Sequence, residues 1–207
     1  MRLFLTLTIC SFILFGCKKG KTDFTLRGIL SDSTFGQTLS GATVKLYEIE
    51  AGGTGINLIG QSTTSSDGSY TFTFPRNQAE SYTLTAEKIN YFSIDETIYF
   101  SDMSIEEDNI RDYSTTAKAW VKLRFKNESP AAGTDLTTYI KLSGKSGCPE
   151  CHPNDEQYLV GVIDTVINCA TDGNTIFSYL YDVIGGPEGE KSANAVAFDT
   201  TEIILTY

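Results

Sequence analysis

The residues best suited to chemistry lie in one short stretch, Cys148-Pro149-Glu150-Cys151-His152. A Cys-x-x-Cys-His pattern is typical of covalent haem attachment, with two thioether bonds and the histidine as axial ligand. Met103 would be the candidate distal ligand. Attachment cysteines of this kind usually lie on or beside a helix, whereas Pro149 and Pro153 disfavour one here. No helical shell to enclose a porphyrin is visible either, so we expect no haem.

Redox and metal chemistry are the other interpretations of these cysteines. A thioredoxin-like site would require a βαβ pattern around the motif, and the sequence has none there. Zinc could use Cys148, Cys151, Cys169 and His152, but an adjacent cysteine and histidine rarely both reach one metal. The favoured interpretation is a disulfide from the Cys148/Cys151 loop to Cys169, with one thiol left over. Such a loop is close to the roughly 15-residue case, for which the stabilisation is about 3 kcal/mol.

Catalysis by other residues finds little support. His152 is the only histidine, so a Ser-His-Asp or Cys-His site would have to be built around this one loop. No nucleophile elbow, phosphate-binding loop or dinucleotide-binding fingerprint occurs. A pair of carboxylates could serve a glycosidase, but the sequence cannot give their separation. We therefore predict no catalytic residues, no metal and no cofactor.

Composition disfavours nucleic acid as a partner and favours β-strands as the secondary structure. The 207 residues carry a net charge of −10, and clustered Lys and Arg are confined to the N-terminal end, which disfavours nucleic-acid binding. Aromatic residues make up 12% of the chain, mostly Tyr and Phe, and Thr and Ser are frequent. This composition suits strands better than helices.

The stretch from Gly41 to Phe74 is the part around which we expect the chain to be organised. It reads as a strand, a crossover and an Asp67-Gly68 turn that leads into Tyr70, Phe72 and Phe74. These three rings are spaced two residues apart and share one face of a strand, which a second sheet must cover. The Asp-Gly pair predicts a hairpin between strands at 56–64 and 69–74.

Further strands are expected at 24–30, 43–49, 82–86, 97–100, 117–126, 136–142, 158–167, 175–183 and 201–207. Short strands at this spacing predict an all-β fold with two β-sandwich domains in tandem, at 22–100 and 117–207. The residues at 101–116 read as an acidic linker. Its carboxylates Asp102, Glu106, Glu107, Asp108 and Asp112 match no known calcium loop spacing, so a solvated linker is favoured over a Ca²⁺ site. Lys118, Lys122, Arg124 and Lys126 alternate with apolar residues and predict a basic, solvated strand face that also carries Trp120.

The N-terminus reads as a targeting segment. Arg2 precedes an apolar run at 3–15 that is too short for a bilayer span. The run ends in Leu14-Phe15-Gly16-Cys17, which resembles the lipobox of bacterial lipoproteins, with bulky Phe15 as its one departure. The resemblance implies a signal peptide at 1–16 and a Cys17 acylated with lipid chains such as palmitate. Each buried acyl CH₂ contributes about 0.8 kcal/mol, so several chains anchor a protein nearly permanently.

Residues 17–21 form a short basic tether that follows the lipidated cysteine. Lys18 does not resemble the acidic signal that retains lipoproteins in the inner membrane. The resemblance therefore implies an exported protein anchored in the outer membrane of a Gram-negative bacterium.

The first predicted domain also resembles a known family. The segments at 28–30, 36–37, 39–44, 66–70, 82–86 and 90–91, together with Asp32, resemble the carboxypeptidase-regulatory-like, transthyretin-type domain, with Thr38 and Asn90 departing from its pattern. The resemblance implies a non-catalytic β-sandwich with a carbohydrate-binding-like fold in an exported protein. Tyr70, Tyr82 and Tyr91, together with Tyr47 and Tyr99, could then form an aromatic platform for sugar rings. Core packing of these tyrosines is the favoured alternative.

Together these patterns predict a membrane-anchored lipoprotein that acts as a non-catalytic binding or structural module of the cell envelope. Envelope proteins are the first class of partner and glycans the alternative. A haem or metal site at the Cys148–His152 loop is the remote alternative.

Overall fold

The computed structural model describes residues 22–53, 55–129, 135–145 and 154–207, which are almost entirely strands, turns and loops. One short 3-10 helix spans Phe100–Asp102. The strands in these ranges are β1 (Asp23–Asp32), β2 (Gln37–Thr38), β3 (Thr43–Glu50), β4 (Ile56–Thr63), β5 (Ser69–Pro75), β6 (Ala79–Glu87), β7 (Ile94–Tyr99), β8 (Asn109–Ile110), β9 (Tyr113–Thr115), β10 (Lys118–Lys126), β11 (Leu136–Lys141), β12 (Glu156–Val160), β13 (Asp164–Asp172), β14 (Thr175–Val183), β15 (Glu188–Ala195) and β16 (Thr200–Thr206). No helix in these ranges is long and apolar enough to cross a membrane.

Two sheets form the first sandwich. One has the order β2-β1-β5, with β8 and β9 also beside β1, and the other has the order β4-β3-β6-β7. Alternate residues of β5 are buried as expected, and Phe72 and Phe74 lie opposite Leu26 and Phe24 of β1. The Phe74 and Tyr82 rings meet edge to face with centroids 5.1 Å apart, which joins the two sheets through aromatic packing.

The predicted hairpin between β4 and β5 is wrong. β4 pairs with β3, and β5 pairs with β1, so the two strands belong to opposite sheets. The Asp67-Gly68 turn is therefore an arch between layers. A strand whose apolar residues alternate can lie in either sheet of a sandwich and still bury its apolar face. Here β5 lies beside β1, so Tyr70, Phe72 and Phe74 share the inner face of the sheet with residues of β1.

The segment predicted as an acidic linker is largely part of the first sandwich. β8 and β9 run parallel to β1, with Leu26 opposite Asn109 and Leu30 opposite Tyr113. The first sandwich thus extends to Thr115, and only two residues separate β9 from β10. The exposed carboxylates of this segment suggested a linker, but its backbone also bonds to β1, as the Arg111 N–H does to the Arg27 carbonyl at 2.9 Å.

The second sandwich confirms the all-β, two-sandwich expectation. Its sheets have the orders β13-β10-β16 and β12-β11-β14-β15. The inward residues of β10 are buried as the alternation predicted, and Phe125 packs on Tyr139 with ring centroids 4.8 Å apart. The stretch predicted as one strand at 158–167 is two, β12 and β13, one in each sheet. β15, which the sequence pattern did not predict, completes the second sheet.

Each sandwich is closed by a parallel pair between its first and last strands. In the first sandwich these are β1 and the β8–β9 segment. In the second they are β10 and β16, paired from Trp120 with Thr200 to Lys126 with Thr206.

The arch between β4 and β5 gives a prediction about acid stability. Asp67 accepts hydrogen bonds from the Ser65 hydroxyl, the Ser69 hydroxyl and the Ser69 N–H, which lower its pKa to about 2. Since the unfolded chain binds this proton more tightly, the stabilisation is present above pH 3.8 and is lost as the pH falls towards 2. We expect Asp67→Asn to flatten the acid side of the stability–pH curve in this window, measured by urea denaturation. An unchanged curve would contradict the proposed role.

Two buried tyrosine hydroxyls give a second prediction. The Tyr82 and Tyr179 hydroxyl oxygens are buried and have no hydrogen-bond partner among the described residues. A buried polar group without a partner costs about 1–3 kcal/mol, so Tyr82→Phe and Tyr179→Phe should leave stability unchanged or raise it by about 1 kcal/mol. Tyr70→Phe is the matched contrast and should lower stability, because the Tyr70 hydroxyl donates to the Arg111 carbonyl at 2.6 Å. Chemical denaturation of the three variants would test this order.

Candidate functional site

The three tyrosines proposed as a sugar platform lie in the core. Tyr70, Tyr82 and Tyr91 are all buried, and Tyr82 packs between Phe24 and Phe74. Burial raises the pKa of Tyr82 and of Tyr91 to about 12, and the hydrogen bond from Tyr91 to Asp32 adds to its shift. The prediction that these three rings form a sugar-binding platform is therefore wrong, because their faces pack against other core residues and are not open to a sugar ring.

The other two tyrosines of that group lie on the outer face of the β4-β3-β6-β7 sheet. Tyr47 is opposite Leu58 on β4 and Thr83 on β6, and Thr83 is opposite Thr97 on β7. Because directly paired residues share a face, they form one continuous surface. We call it the tyrosine–threonine face; its members are Tyr47, Ile49, Ile56, Leu58, Ser81, Thr83, Thr97 and Tyr99.

This face combines apolar and hydroxyl groups without a charge in its central rows. Ile56, Leu58 and Tyr99 are 67%, 56% and 58% exposed. Large apolar side chains grouped on an exposed surface and bordered by polar groups are typical of interaction sites. The arrangement can pack against a flat apolar or sugar surface, and its hydroxyls can donate and accept hydrogen bonds.

The outer face of the β12-β11-β14-β15 sheet has a different character. Tyr158, Ile140 and Leu180 lie on it beside four carboxylates, Glu156, Asp182, Glu188 and Glu190. Asp182 is directly opposite Glu188, a like-charge pair that weakens the strand pairing. A shallow depression of about 470 Å³ lies among these residues.

The expected basic face of β10 is neutralised. Lys122 pairs with Glu202 at 3.1 Å, Arg124 with Asp164 at 3.2 Å and Lys126 with Glu128 at 2.9 Å. The prediction of a basic surface was wrong because the neighbouring strands and loop supply a carboxylate for three of the four cations, while the Lys118 ammonium lies 5.3 Å from the centroid of the Phe92 ring. Ion pairs this exposed contribute little to stability.

The two sandwiches meet at a polar joint. Lys145 lies 2.8 Å from Asp172 in the second sandwich, while its ammonium sits 4.7 Å from the ring centroid of Phe92 in the first. The Thr116 hydroxyl donates to Asp172 in the same cluster. Beside it is a cleft of about 680 Å³ lined by hydroxyl groups and by Asp95 and Glu96.

An aromatic contact completes the joint. Phe198, between β15 and β16, stacks on Phe35 at 5.7 Å and meets Tyr91 edge to face at 5.4 Å. Its φ of 66° is uncommon for a bulky residue, so the surrounding contacts must hold it there. The sequence offered no signal for this contact, since Phe198 belongs to no alternating run.

The acidic segment at 101–116 forms an ion pair and a hydrogen bond with β1 of the first sandwich. Asp108 pairs with Arg27 at 3.1 Å, and Asp112 accepts the Ile29 N–H at 2.8 Å. The described residues contain no group of three or more His, Cys, Asp or Glu side chains placed to hold a metal.

The cysteine motif is only partly described. Cys148, Cys151 and His152 lie outside the described residues, as does Cys17. Cys169 is buried and free, and its burial raises the pKa of the thiol while the nearby Lys141 opposes the shift. The structure therefore does not show the disulfide expected between the Cys148/Cys151 loop and Cys169, and that bridge stays a prediction.

Comparison with known proteins adds structural likeness only. No family model matches the chain, and no characterised protein matches its sequence significantly. The Bacillus anthracis TIE protein aligns with 89% of the chain at 13% identity and a TM-score of 0.37. A streptococcal ancillary pilin aligns with 89% of the chain at 10% identity and a TM-score of 0.39. The shaft pilin SpaA of Lactobacillus rhamnosus GG aligns with 89% of the chain at 10% identity and a TM-score of 0.38. The chain spans 34% of the first protein, 62% of the second and 98% of the third.

Proposed function

We propose that the protein is an exported, lipid-anchored and non-catalytic binding or structural module of the cell envelope. The observation that carries this proposal is the tyrosine–threonine face. Its Ile56 and Leu58 on β4 and its Tyr99 on β7 are each more than half exposed, and large apolar side chains grouped on an exposed face are typical of interaction sites. An envelope protein is the proposed partner.

The attachment to the membrane rests on the sequence. The lipobox-like segment ending at Cys17 supports acylation, and Lys18 supports sorting to the outer membrane of a Gram-negative bacterium. The resemblance to the carboxypeptidase-regulatory-like family supports a non-catalytic role for the first sandwich.

Anchoring is tested by replacing Cys17 with serine and following the full chain in cells. We expect the wild-type protein to incorporate labelled palmitate and to fractionate with membranes, and Cys17→Ser to lose both. Cys10→Ser is the matched control within the leader and should retain both. Membrane association without label in the wild type would contradict lipidation.

Use of the tyrosine–threonine face is tested by Leu58→Glu, which places a charge on its β4 edge, directly opposite Tyr47. We expect this variant to abolish binding of the purified mature protein to isolated cell envelopes while leaving its denaturation curve unchanged, since Leu58 is exposed. Tyr158→Ala, which alters an exposed tyrosine of the second sandwich, is the control and should bind normally. Equal binding by all three proteins would rule out this face.

Glycan binding is a second candidate, favoured by the position of Tyr47 and Tyr99 on this same face. The exposed ring of Tyr99 and the half-buried ring of Tyr47, beside hydroxyl groups, suit the apolar faces and hydroxyls of sugars. Isothermal titration with a glycan panel would decide it. A binding heat that the wild type gives and the Tyr47→Ala variant does not would support glycan binding. If no glycan of the panel gives a binding heat with the wild type, this candidate function is ruled out.

A further inference from the structure

We propose that the two sandwiches form a load-bearing unit, in which tension along the chain is resisted by the parallel pair that closes each sandwich. The proposal rests on the proposed anchored, non-catalytic role, and it adds that the module transmits force. It follows from the direction of four strand segments and from the hydrogen bonds between them.

The direction of the strands decides how such a pair yields. In a parallel pair, the start of one strand and the end of the other lie at opposite ends of the ladder. Tension applied at those two points slides the strands past each other, so it loads all the hydrogen bonds at once. In an antiparallel pair the corresponding points lie at the same end, and the bonds open one after another.

Both sandwiches have the resistant arrangement. The chain enters the first sandwich at the start of β1 and leaves it at the end of β9, which runs parallel to β1. It enters the second at the start of β10 and reaches the end of β16, again a parallel neighbour. Tension between the segment before β1 and the end of β16 therefore loads both pairs by sliding.

In the first sandwich, side chains reinforce the interrupted ladder. The Asp112 carboxylate accepts the Ile29 N–H at 2.8 Å, and the Asn109 amide donates to the Thr25 carbonyl at 3.0 Å. The backbone adds Arg111 N–H to Arg27 at 2.9 Å and Ser33 N–H to Thr115 at 2.8 Å. These bonds fasten residues 109–115 along almost the whole of β1.

In the second sandwich, the ladder continues past the ends of the paired strands. The Phe198 N–H donates to Lys118 at 2.8 Å at one end. The Tyr207 N–H donates to Lys126 at 3.1 Å, and the Tyr207 carbonyl accepts the Glu128 N–H at 2.6 Å, at the other. An ion pair between Lys122 and Glu202 also crosses the two strands.

The joint between the sandwiches is fastened in the same way. The Ala117 N–H donates to the Thr34 hydroxyl at 2.9 Å in the first sandwich, and its carbonyl accepts the Gly173 N–H at 2.8 Å from the second. The two-residue connection thus passes force directly from β9 to β10, with no slack segment between them.

The first test compares pulling directions on one folded molecule, the mature chain with residues 18–207. Handles are attached through azide-bearing residues at positions 22 and 207 in one case, and at 22 and 78 in the other. The second geometry opens the antiparallel β1–β5 pair, because Asp23 lies opposite Pro75. We expect its unfolding force to be lower by about twofold or more, since forced unfolding follows the barrier along the pulled direction. Equal forces would overturn the proposal.

The second test removes one reinforcing bond. Asp112→Ala should lower the unfolding force between positions 22 and 207 and leave the force between 22 and 78 unchanged. Glu107→Ala, a nearby exposed carboxylate, is the control and should alter neither. If Asp112→Ala lowers both forces equally, its effect is general destabilisation and the load-bearing role fails. Because both tests use the unlipidated chain, their failure is distinguishable from a failure of membrane anchoring or of partner binding.

Discussion

Replacing Gly28 with alanine is expected to lower the free energy of unfolding of the first sandwich by about 3 kcal/mol or more. A Cβ at this position would lie 1.7 Å from the Arg111 carbonyl oxygen. That oxygen accepts the Tyr70 hydroxyl at 2.6 Å, and the Arg111 N–H donates to Arg27, so the carbonyl is held from two sides. Relief of the clash must therefore displace the β8–β9 segment from β1.

Gly60→Ala is the matched control for this prediction. Its added Cβ would lie 3.6 Å from the Phe72 ring, an ordinary contact, so its stability should remain within about 1 kcal/mol of the wild type. The measurement is urea denaturation of the mature chain, with hydrogen exchange at the β1 and β9 amides. Unchanged protection of these amides in Gly28→Ala would contradict the close approach of Arg111.

Replacing Asp32 with alanine is expected to cost about 3 kcal/mol, the second large effect. Asp32 is only 1% exposed. Its carboxylate accepts the Thr34 N–H at 2.8 Å, the Phe35 N–H at 3.3 Å and the Tyr91 hydroxyl at 2.9 Å. Alanine would leave these donors without their acceptor, and each such buried group costs free energy.

Two milder variants separate the contributions at this site. Asp32→Asn keeps one acceptor oxygen, and its amide can donate to the Tyr91 hydroxyl, so it should cost about 1 kcal/mol. Tyr91→Phe removes one of the three donors and should cost a similar amount. An Asp32→Ala variant no less stable than Asp32→Asn in urea denaturation would show that the carboxylate does not hold these groups.

The same variants should loosen the joint between the sandwiches. Asp32 positions Tyr91 and Phe35, which together hold the Phe198 ring. We therefore expect Asp32→Ala to broaden the distribution of distances between the sandwiches in small-angle scattering, as Phe198→Ala should do without a comparable loss of stability. A scattering profile identical to the wild type would argue against this role.

Alternation predicted which side chains are buried, and it did so because burial is a local property of a strand. Tyr70, Phe72 and Phe74 are buried as their spacing required, and so are the alternate residues of β10. Alternation does not indicate which strand is the hydrogen-bonded neighbour of another. β5 pairs with β1, about 45 residues earlier in the chain, and the Asp67-Gly68 signal favoured the nearer β4.

The candidate surface was predictable only in part. Tyrosines were expected either in the core or on a platform, and the sequence could not separate Tyr82 in the core from Tyr99 on the outer face. Both tyrosines lie in strands of the same sheet, but they point to opposite faces of it. Which face is buried depends on how the strands pair, and strand pairing is a long-range property. The sequence marks Asp32 only as part of the family resemblance, because nothing in its neighbours indicates that three donors converge on it.

The parallel pairing of first and last strands also sets when each sandwich can fold under the proposed export. β1 would then emerge early from a secretion channel, but the Asn109 amide that bonds to Thr25 would arrive 84 residues later. Closure of so long a loop delays the native ladder and slows folding. Each sandwich should therefore stay unfolded, and competent to cross a membrane as an extended thread, until its final strand is through.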